Sequence, residues 1–337
     1  METPTKVAVV ILNYNGVHWL EKFLADVVLK SSDAQVYVAD NASTDDSVNY
    51  VKTNFPNVKL VQNKSNDGYA GGYNNALQRI EAEYYVLLNS DVEVSENWIS
   101  PIIHLMDNDK TIAACQPKIK KYDDKSSFEY AGACGGHLDK YGFPFCRGRV
   151  FDTLEKDKGQ YDDAIEVFWA SGACLFLRSE AFYEIGGFDW DFFAHMEEID
   201  LCWRLKNKGY KIMCEPKSTV YHVGGGTLNS GSTFKTYLNY RNNLLMLYKN
   251  LNPENRFSIL FKRMILDGLS AVKFILNGKP LHIFSILKAH IVYYTFLKSF
   301  KKKRPPSYQA KLFPKSVVYS YFVKRLKTYN QLNKDFN

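Results

Sequence analysis

Residues 84–91 have the sequence Tyr-Tyr-Val-Leu-Leu-Asn-Ser-Asp, an apolar run that passes directly into a polar turn ending at Asp91. Such a run is typical of a strand that is buried on both faces of a parallel sheet. The strand would deliver Asp91 to the carboxyl edge of the sheet, where ligands of α/β proteins bind. Two interpretations of Asp91 are open: it is a hard oxygen ligand for Mg²⁺ or Mn²⁺, or it is a turn residue that hydrogen-bonds to nearby backbone.

Strands and helices alternate around this segment. Residues 7–12, 35–39 and 59–62 are further β-rich runs, and a helical pattern follows each of them, the third starting at about Tyr73. This alternation predicts an α/β fold with an open, mostly parallel sheet, right-handed crossovers and flanking helices.

Polar residues stand at the ends of three of these strands. Asn13 and Asn15 follow the first strand, Asp40 ends the second, and Asn89 and Asp91 follow the fourth. Because the carboxyl ends of parallel strands meet at one edge, we predict a ligand cleft there. Asp40 is a candidate to accept hydrogen bonds from a base or a ribose.

A glycine-rich segment follows the third strand. Residues 66–74 have the sequence Asn-Asp-Gly-Tyr-Ala-Gly-Gly-Tyr-Asn. The glycines Gly68, Gly71 and Gly72 either let the backbone approach a diphosphate or sugar closely, or only form a tight turn before a helix. The segment is not a dinucleotide-binding fingerprint, because no glycine cluster follows the first strand.

After about residue 118 the alternation stops. Residues 120–165 have the composition of loops, and short strands are predicted at 166–169, 174–177, 211–214 and 219–221. Helices are predicted at 179–185 and at about 197–208, and from Phe234 onward the pattern is helical.

The charge of the 337-residue chain is unevenly distributed. From residue 231 onward there are 20 Lys and Arg against 3 Asp and Glu, which leaves 23 basic and 33 acidic residues before that point. Two regions with different partners are therefore indicated. The basic amphipathic segment 255–304 is expected to lie on an anionic membrane surface, or alternatively to pack on the rest of the chain with a solvated charged face.

The cysteines and the apolar stretches bear on the compartment. The six cysteines include no Cys-x-x-Cys pair, so we expect buried, reduced thiols. We see no secretory signal, and the charge-free stretch 289–297 is too short to span a bilayer. We therefore expect a cytoplasmic protein that is peripheral on the cytoplasmic face of the membrane.

Five ordered blocks of this sequence resemble those of family 2 inverting glycosyltransferases, and most closely the branch of rhamnosyltransferases of cell-surface polysaccharide assembly. They cover 7–16, 39–47, 66–74, 87–91 and the later run from Gly186 to Arg204. The resemblance implies a GT-A fold, which is a Rossmann-like, mostly parallel mixed sheet flanked by helices. It also implies a catalytic domain at 1–230, with a nucleotide-sugar half at 1–118 and an acceptor half at 119–230, and a helical basic extension at 231–337.

The resemblance further implies a nucleotide-diphosphate sugar donor and a divalent metal, Mg²⁺ or Mn²⁺. Asp40 would bind the base, and Asp91 and His222 would bind the metal. Asn89 stands where the first Asp of the family's metal-binding motif often stands, so fewer carboxylates would hold the metal and waters would complete its shell. The implied donor-binding residues are Asn13, Asn15, Asp40, Asn66, Gly68, Gly71, Gly72, Asn74, Asn89 and Arg241, the last one toward a phosphate.

Glu197-Glu198 stands where the family usually has Glu-Asp, whose second residue is the expected general base. Adjacent helical positions point about 100° apart, so only one of the two is expected to face the cleft. We favour Glu198 over Glu197, and a solvated acidic helix start is the alternative. Trp169 and Trp190 either stack on a sugar or pack in the core.

The expected activity is transfer of a sugar, dTDP-rhamnose being the favoured donor and UDP-hexoses next, to a saccharide or a lipid-linked saccharide. A sugar-nucleotide pyrophosphorylase is an alternative, although it would usually carry a glycine-rich loop with Arg or Lys after the first strand. A nucleic-acid-binding module would explain the basic region but not the acidic cleft, so no nucleic acid partner is expected.

Overall fold

The computed structural model of this chain describes residues 5–224 and 231–334. Its strands are β1 (Thr5–Asn13), β2 (Gln35–Asp40), β3 (Lys59–Gln62), β4 (Ala82–Asn89), β5 (Val92–Val94), β6 (Ile112–Lys121), β7 (Gly136–Leu138), β8 (Pro144–Cys146), β9 (Arg149–Val150), β10 (Thr153–Leu154), β11 (Ile165–Val167), β12 (Cys174–Arg178) and β13 (Lys211–His222). Its α-helices are α1 (Val17–Leu29), α2 (Ser47–Asn54), α3 (Gly68–Leu77), α4 (Ser100–Asn108), α5 (Ser179–Glu184), α6 (Glu197–Asn207), α7 (Thr233–Asn250), α8 (Pro253–Leu276), α9 (Leu281–Lys302), α10 (Val317–Phe322) and α11 (Tyr329–Lys334).

The main sheet has the strand order β11-β13-β6-β12-β4-β1-β2-β3, and β5 pairs with β13. Strands β1 to β4 are mutually parallel, β12 runs antiparallel to both β4 and β6, and β13 runs parallel to β6. The predicted mostly parallel mixed sheet flanked by helices is therefore confirmed. The carboxyl ends of β1, β2, β4 and β13 all lie at the same edge.

The alternation of side chains along the central strands builds a core on each face of the sheet. In β4, Tyr84, Val86 and Leu88 pack in one hydrophobic cluster, and Tyr85 and Leu87 pack in the other. Both faces are covered because right-handed crossovers place helices on each side of a parallel sheet.

Three details differ from the predicted elements. Helix α3 begins at Gly68, five residues before the predicted start at Tyr73, because glycines are poor helix formers but are needed here for close packing. The region 120–165 contains a second sheet of strands two or three residues long, in the order β10-β9-β8-β7, which are too short to show a period of two. The strands predicted at 211–214 and 219–221 form one strand, β13, with an irregularity between Glu215 and Thr219.

The C-terminal region is helical as predicted, and it shares the core of the preceding region. Buried apolar residues of α7, α9, α10 and α11 belong to the same hydrophobic cluster as Tyr85 and Leu87 of β4. The division of the chain after residue 230 stays a prediction. Across residues 5–224 and 231–334, no helix combines the length and the apolar character needed to cross a membrane.

Candidate active site

The ends of β1 and β2 hold each other by polar contacts. Asn13 and Asp40 are partners in the strand register, and the Asn13 side-chain amide donates to Asp40 Oδ2 at 3.1 Å and to Ser43 Oγ at 3.2 Å. Asp40 Oδ1 accepts from the Ser43 backbone N–H. Asn13 Oδ1 is buried without a hydrogen-bond partner in the structure, which leaves an acceptor at the sheet edge for a ligand.

Asn15 has a local role in the turn after β1. It adopts a left-handed backbone conformation with φ of 49°, and its Oδ1 accepts from the backbone N–H groups of Thr44 and Asp45. Its own N–H donates to Ser43 Oγ. These contacts join the turns after β1 and β2, and so they position Asp40 indirectly.

The start of α3 is in contact with protein groups in the structure. The Phe193 carbonyl accepts from the N–H groups of Tyr69 and Ala70, and a Cβ at Gly68, which has φ of +71°, would collide with Phe193. Asn66 Oδ1 accepts from the Gly68 N–H. Asn41 Nδ2 donates to the Gly68 carbonyl at 2.9 Å.

The next turn of α3 packs tightly as well. A Cβ at Gly71 would meet the Trp190 ring at 3.0 Å, and one at Gly72 would meet Asn41 Nδ2 at 2.5 Å. Asn74 donates to and accepts from the backbone of Phe188 at 2.8 and 3.0 Å. The glycines thus permit close packing of the segment 186–193 on α3, and the donor-binding role predicted for this segment stays a prediction.

Asp91 and His222 meet at the carboxyl edge because Val92 of β5 pairs with His222 at the end of β13. The distance from Asp91 Oδ1 to His222 Nε2 is 3.1 Å, and both residues are buried. Asn89 Nδ2 lies 3.4 Å from the same ring nitrogen. On the other side of the ring, Nδ1 is 3.5 Å from Glu129 Oε1, which is an ionic contact longer than a good hydrogen bond.

These contacts determine the charges that Asp91 and His222 carry. Burial opposes ionisation of Asp91, but the hydrogen bond and the charge of His222 outweigh it, and the pKa of Asp91 is lowered. Burial likewise disfavours the charged imidazole, yet the carboxylates of Asp91 and Glu129 raise the pKa of His222 to about 10.

The side chains at the end of β4 include groups that can act as ligands to a divalent cation. A carboxylate oxygen and a neutral imidazole nitrogen are both metal donors, so a cation bound here would displace the proton that His222 shares with Asp91, and Asn89 could add its amide oxygen. No cluster of three or more His, Cys, Asp and Glu side chains with metal-binding geometry exists within 5–224 and 231–334. Asp91, His222 and Asn89 could therefore supply at most three ligands to a cation, and its other ligands would come from outside the protein.

The segment before α6 has an unusual backbone. Phe193, His195 and Met196 have φ of 64°, 69° and 72°, a conformation that costs non-glycine residues of order 1–3 kcal/mol each. The segment leads directly into Glu197 and Glu198 at the start of α6. Among the residues that the structure describes, one buried carboxylate oxygen of each has no hydrogen-bond partner, and neither does the buried Nε2 of His195.

Burial shifts the titration of this pair. Burial and then the charge of Glu198 raise the pKa of Glu197 well above its ordinary value. Burial raises the pKa of Glu198 to about 7, although backbone N–H groups at the start of α6 act in the opposite direction. The Glu198 side chain is partly exposed whereas Glu197 is 5% exposed.

The acidic pair lies beside the sheet edge. Burial is the main reason why the pKa of Tyr69 is raised, and the charges of Glu197 and Glu198 add to it. The Tyr69 hydroxyl donates to the Gly172 carbonyl at 2.9 Å. The next carbonyl, that of Ala173, accepts from the Asn89 N–H. Tyr69 therefore lies within electrostatic range of the acids of α6, and it hydrogen-bonds to the segment that contacts the end of β4, where Asp91 follows.

Arg241 and Asn242 of α7 hold the segment before α6. The Arg241 guanidinium donates to the carbonyls of Asp191 and Phe192. Asn242, which is fully buried, donates to the carbonyls of Phe192, Ala194 and His195 at 2.8–2.9 Å. In the structure Arg241 therefore contacts backbone, and the phosphate contact predicted for it stays a prediction.

A cluster of ion pairs connects α6, the segment before it, α7 and the end of α9. Asp200 pairs with Arg204 at 2.8 Å, as expected for a structural ion pair four residues apart, and also with Lys249 at 2.9 Å. Lys249 contacts Asp189, and Lys303 contacts both Asp189 and Asp191. Lys303 therefore serves an internal role instead of facing solvent.

The two tryptophans differ. Trp169 is 3% exposed and donates to the His137 carbonyl, so it belongs to the core. Trp190 is 49% exposed and lies over Gly71, so it is available to a ligand. Sequence patterns gave no signal for Glu129, His195 or Asn242, because each acts through contacts with distant parts of the chain.

The comparisons with known proteins agree on one family. The profile of "Glycosyl transferase family 2" matches residues 8–186, just over half of the chain. The chain is 27% identical over 229 residues to the N-acetylglucosaminyl-diphospho-decaprenol L-rhamnosyltransferase of Mycobacterium tuberculosis, covering 64% of this chain and 75% of that protein. It is 22% identical over 225 residues to the rhamnosyltransferase WbbL of Escherichia coli K12, covering 64% and 83%.

Solved structures share the fold. The crystal structure of GalNAc-T7 with UDP, GalNAc and Mn²⁺ matches with a TM-score of 0.58 at 16% identity, covering 91% of this chain and 59% of that one. The mannosyltransferase PcManGT from Pyrobaculum calidifontis, in complex with GDP-Man and Mn²⁺, matches with a TM-score of 0.51 at 14% identity, covering 88% of each chain.

Proposed function

Because this chain belongs to glycosyltransferase family 2, we propose that it is an inverting enzyme that transfers a sugar from a nucleotide-diphosphate sugar to a hydroxyl group of a saccharide or lipid-linked saccharide in cell-surface polysaccharide synthesis. The observation that carries the proposal is the pair Glu197-Glu198, each with one buried carboxylate oxygen that has no hydrogen-bond partner among the described residues, within electrostatic range of Tyr69 near a sheet edge that bears Asp40, Asp91 and His222.

The donor half is proposed from the sheet edge. Asp40 and Asn13 end adjacent parallel strands, and Asn13 keeps a free buried acceptor. We assign the base and ribose to this end. The diphosphate is assigned to the end of β4, where Asp91 and His222 would hold a divalent cation, Mg²⁺ or Mn²⁺. When bound, that cation would neutralise the departing diphosphate.

The acceptor half is proposed from α6. Glu198 takes the proton of the acceptor hydroxyl, and the oxygen of that hydroxyl bonds to the anomeric carbon of the donor sugar. The bond from the anomeric carbon to the diphosphate oxygen breaks on the opposite face of the sugar. Glu197 stays protonated, because burial and the neighbouring carboxylate both disfavour its charge. The exposed ring of Trp190 is positioned to stack on a sugar.

The sugar is proposed from the relatives. The M. tuberculosis and E. coli proteins described above are named as rhamnosyltransferases, which favours dTDP-rhamnose, with UDP-hexoses next. The first of these names specifies a diphospho-decaprenol acceptor, which favours a lipid-linked acceptor here. We accordingly place the enzyme on the cytoplasmic face of the membrane.

A donor panel tests the proposal. The purified protein is incubated with dTDP-rhamnose, UDP-glucose, UDP-GlcNAc and GDP-mannose, each with Mn²⁺ and with EDTA, and donor binding is followed by thermal shift and slow donor hydrolysis by release of the nucleoside diphosphate. We expect one donor to stabilise the protein, dependent on the metal. No stabilisation and no hydrolysis with any donor would contradict the assignment.

A further inference from the structure

Helices α8 and α9 form an antiparallel hairpin. The Phe274 ring stacks on His282 at 4.6 Å near the tip, His290 Nε2 contacts Asp267 Oδ2 at 3.2 Å, and the Tyr294 hydroxyl reaches Met264 Sδ at 3.7 Å. One side of the hairpin packs on α7, to which α9 contributes Ile286, Ala289 and Tyr293, which are all buried. The other side is exposed in the part of the chain that the structure describes.

The uncovered side of the hairpin is apolar. Its exposed apolar residues are Phe257, Phe261, Ile265, Leu269, Val272, Ile275 and Leu276 of α8, and Leu281, Phe284, Leu287, Ile291 and Tyr294 of α9. Leu276 at the tip is 81% exposed and Phe284 is 68% exposed. A stripe of this size on a monomer marks an interaction surface. We call these residues the hairpin face.

The exposed charges around the hairpin face are mostly positive, although Glu254 is exposed and Lys273 pairs with Asp152 at 3.0 Å. Segment 253–302 contains two acidic residues, Glu254 and Asp267, and Asp267 is buried against Arg263 and His290. The exposed lysines on or beside the face are Lys262, Lys273, Lys279, Lys288, Lys298, Lys301 and Lys302. The partner must therefore be both apolar and anionic.

The exposed stripe on α9 changes from apolar to basic along the helix. Leu287, Ile291 and Tyr294 are followed, at helical spacing, by Lys298 and Lys302, which line a shallow groove with Thr295 and Ser299. The next residue, Lys303, contacts Asp191 at 2.8 Å, in the segment that leads into α6. Both ends of the hairpin therefore have contacts toward the candidate active site, because near the tip His282 Nδ1 lies 2.7 Å from Thr236 Oγ1 of α7, and the ring of the nearby Phe234 lies 6.5 Å from that of Phe193.

We propose that the hairpin face is a membrane-docking surface that lies on an anionic bilayer, with its apolar side chains at the acyl boundary and its lysines on lipid phosphates. A second copy of this chain would suit the face less well, because a symmetric contact would bring the lysines of both copies together. The docking itself is independent of the proposed function. Its consequence, that docking brings a lipid-linked acceptor near the candidate active site, depends on that function.

Vesicle binding tests the docking. The full chain is mixed with phosphatidylcholine vesicles and with vesicles containing 30% phosphatidylglycerol, and the bound fraction is measured by sedimentation without any donor. We expect binding to the anionic vesicles that weakens with salt. Leu276→Asp should lower the partition coefficient about tenfold or more, and Leu29→Asp, at a site 75% exposed on α1, should not change it.

A charge pair gives the second comparison. Lys298→Glu with Lys302→Glu should lower anionic vesicle binding about tenfold or more, since each cation near the surface contributes about 1 kcal/mol. Lys52→Glu with Lys158→Glu makes the same charge change at exposed sites elsewhere and should leave most of the binding intact.

The outcomes separate the two hypotheses. Equal vesicle binding by the wild type, Leu276→Asp and the lysine pair would overturn the docking surface, as would a lipid-free dimer that Leu276→Asp dissociates in light scattering. A protein that binds vesicles through this face but is inactive with every donor would instead contradict the glycosyltransferase proposal. Leu276→Asp should retain wild-type rates on a water-soluble acceptor.

Discussion

Glu197 and Glu198 are neighbours in the chain, but their surroundings give them different chemistry. Both are desolvated, and two adjacent carboxylates in a buried site resist ionising together. The more deeply buried Glu197 experiences both effects. Glu198 is partly exposed and is supported by backbone N–H groups of α6, so its pKa stays close to neutrality. The environment therefore favours Glu198 as the group that can accept a proton at physiological pH.

Replacement of each acid by its amide tests this difference. Glu198→Gln should retain donor affinity, because the donor is assigned to Asp40 and Asp91, and should lower turnover by about 100-fold or more, the usual scale for loss of a general base. Glu197→Gln is the matched control and should lose much less. Transfer rate and donor affinity are measured for both. If Glu198→Gln kept the wild-type transfer rate and Glu197→Gln lost it, Glu197 and not Glu198 would be the general base.

The pH dependence of the rate follows from the same pKa. A general base works when it is deprotonated, and burial raises the pKa of Glu198 to about 7. The rate should therefore rise with pH below about 7 and level off above it, and an ordinary glutamate would already have levelled off near pH 5 to 6. The residual rate of Glu198→Gln should not show this rise with pH below about 7. If the rise persisted in Glu198→Gln, a group other than Glu198 would be responsible for it.

Asp91 is the test of the metal assignment. Asp91→Asn keeps the shape of the side chain but removes the charge beside His222. We expect donor affinity in Mn²⁺ to fall about tenfold or more, toward its value in EDTA. Isothermal titration with the donor is the measurement, and Asp26→Asn, at an exposed site on α1, is the control. Full Mn²⁺-dependent affinity in Asp91→Asn would refute a metal role for this residue.

At the scale of elements, α7 determines the shape of the segment before α6. Asn242→Ala removes three hydrogen bonds to the carbonyls of Phe192, Ala194 and His195, which hold backbone in the left-handed region. We expect a loss of about 2 kcal/mol of stability. We also expect turnover to fall about tenfold with little change in donor affinity, because the segment orients Glu198.

Asn239→Ala is the control for this prediction, since Asn239 lies one turn earlier on α7 and donates only to the Lys235 carbonyl of its own helix. A purely structural role for Asn242 would lower the melting temperature but leave turnover of the folded enzyme and the pH profile unchanged. A shift of the acidic limb in Asn242→Ala would support positioning of the base.

Sequence patterns predicted the elements that depend on local order. The apolar run before Asn89 and the polar ends of β1 and β2 predicted the sheet and the edge to which we assign the candidate site, because burial on both faces produces continuous apolar strands. Contacts between distant segments were beyond such patterns. Glu129 lies in a region without periodicity, and the left-handed backbone at His195 depends on Asn242, a partner 47 residues away.

At the scale of the whole molecule, residues 303–334, which follow α9, are a structural part of the core and not a free basic tail. The Val317 N–H donates to the buried Asp139 carboxylate at 2.9 Å. Tyr321 hydrogen-bonds to Thr153 at 2.8 Å, and the Tyr329 ring stacks on His137 at a centroid distance of 5.2 Å. Membrane docking is therefore assigned to α8 and α9, which precede this segment.

Deletion of residues 303–337 should consequently unfold the protein more than it detaches it from membranes. The deletion removes Lys303 from Asp189 and Asp191 and uncovers the second sheet, and each large apolar side chain lost from a core costs about 1.5–3 kcal/mol. We expect a melting temperature lower by about 10 °C or more, or an insoluble product. Lys301→Ala, at an exposed position of α9, should melt as the wild type does. A truncated protein with the wild-type melting temperature would show that residues 1–302 fold independently, and vesicle sedimentation of that protein would then measure docking by the hairpin face alone.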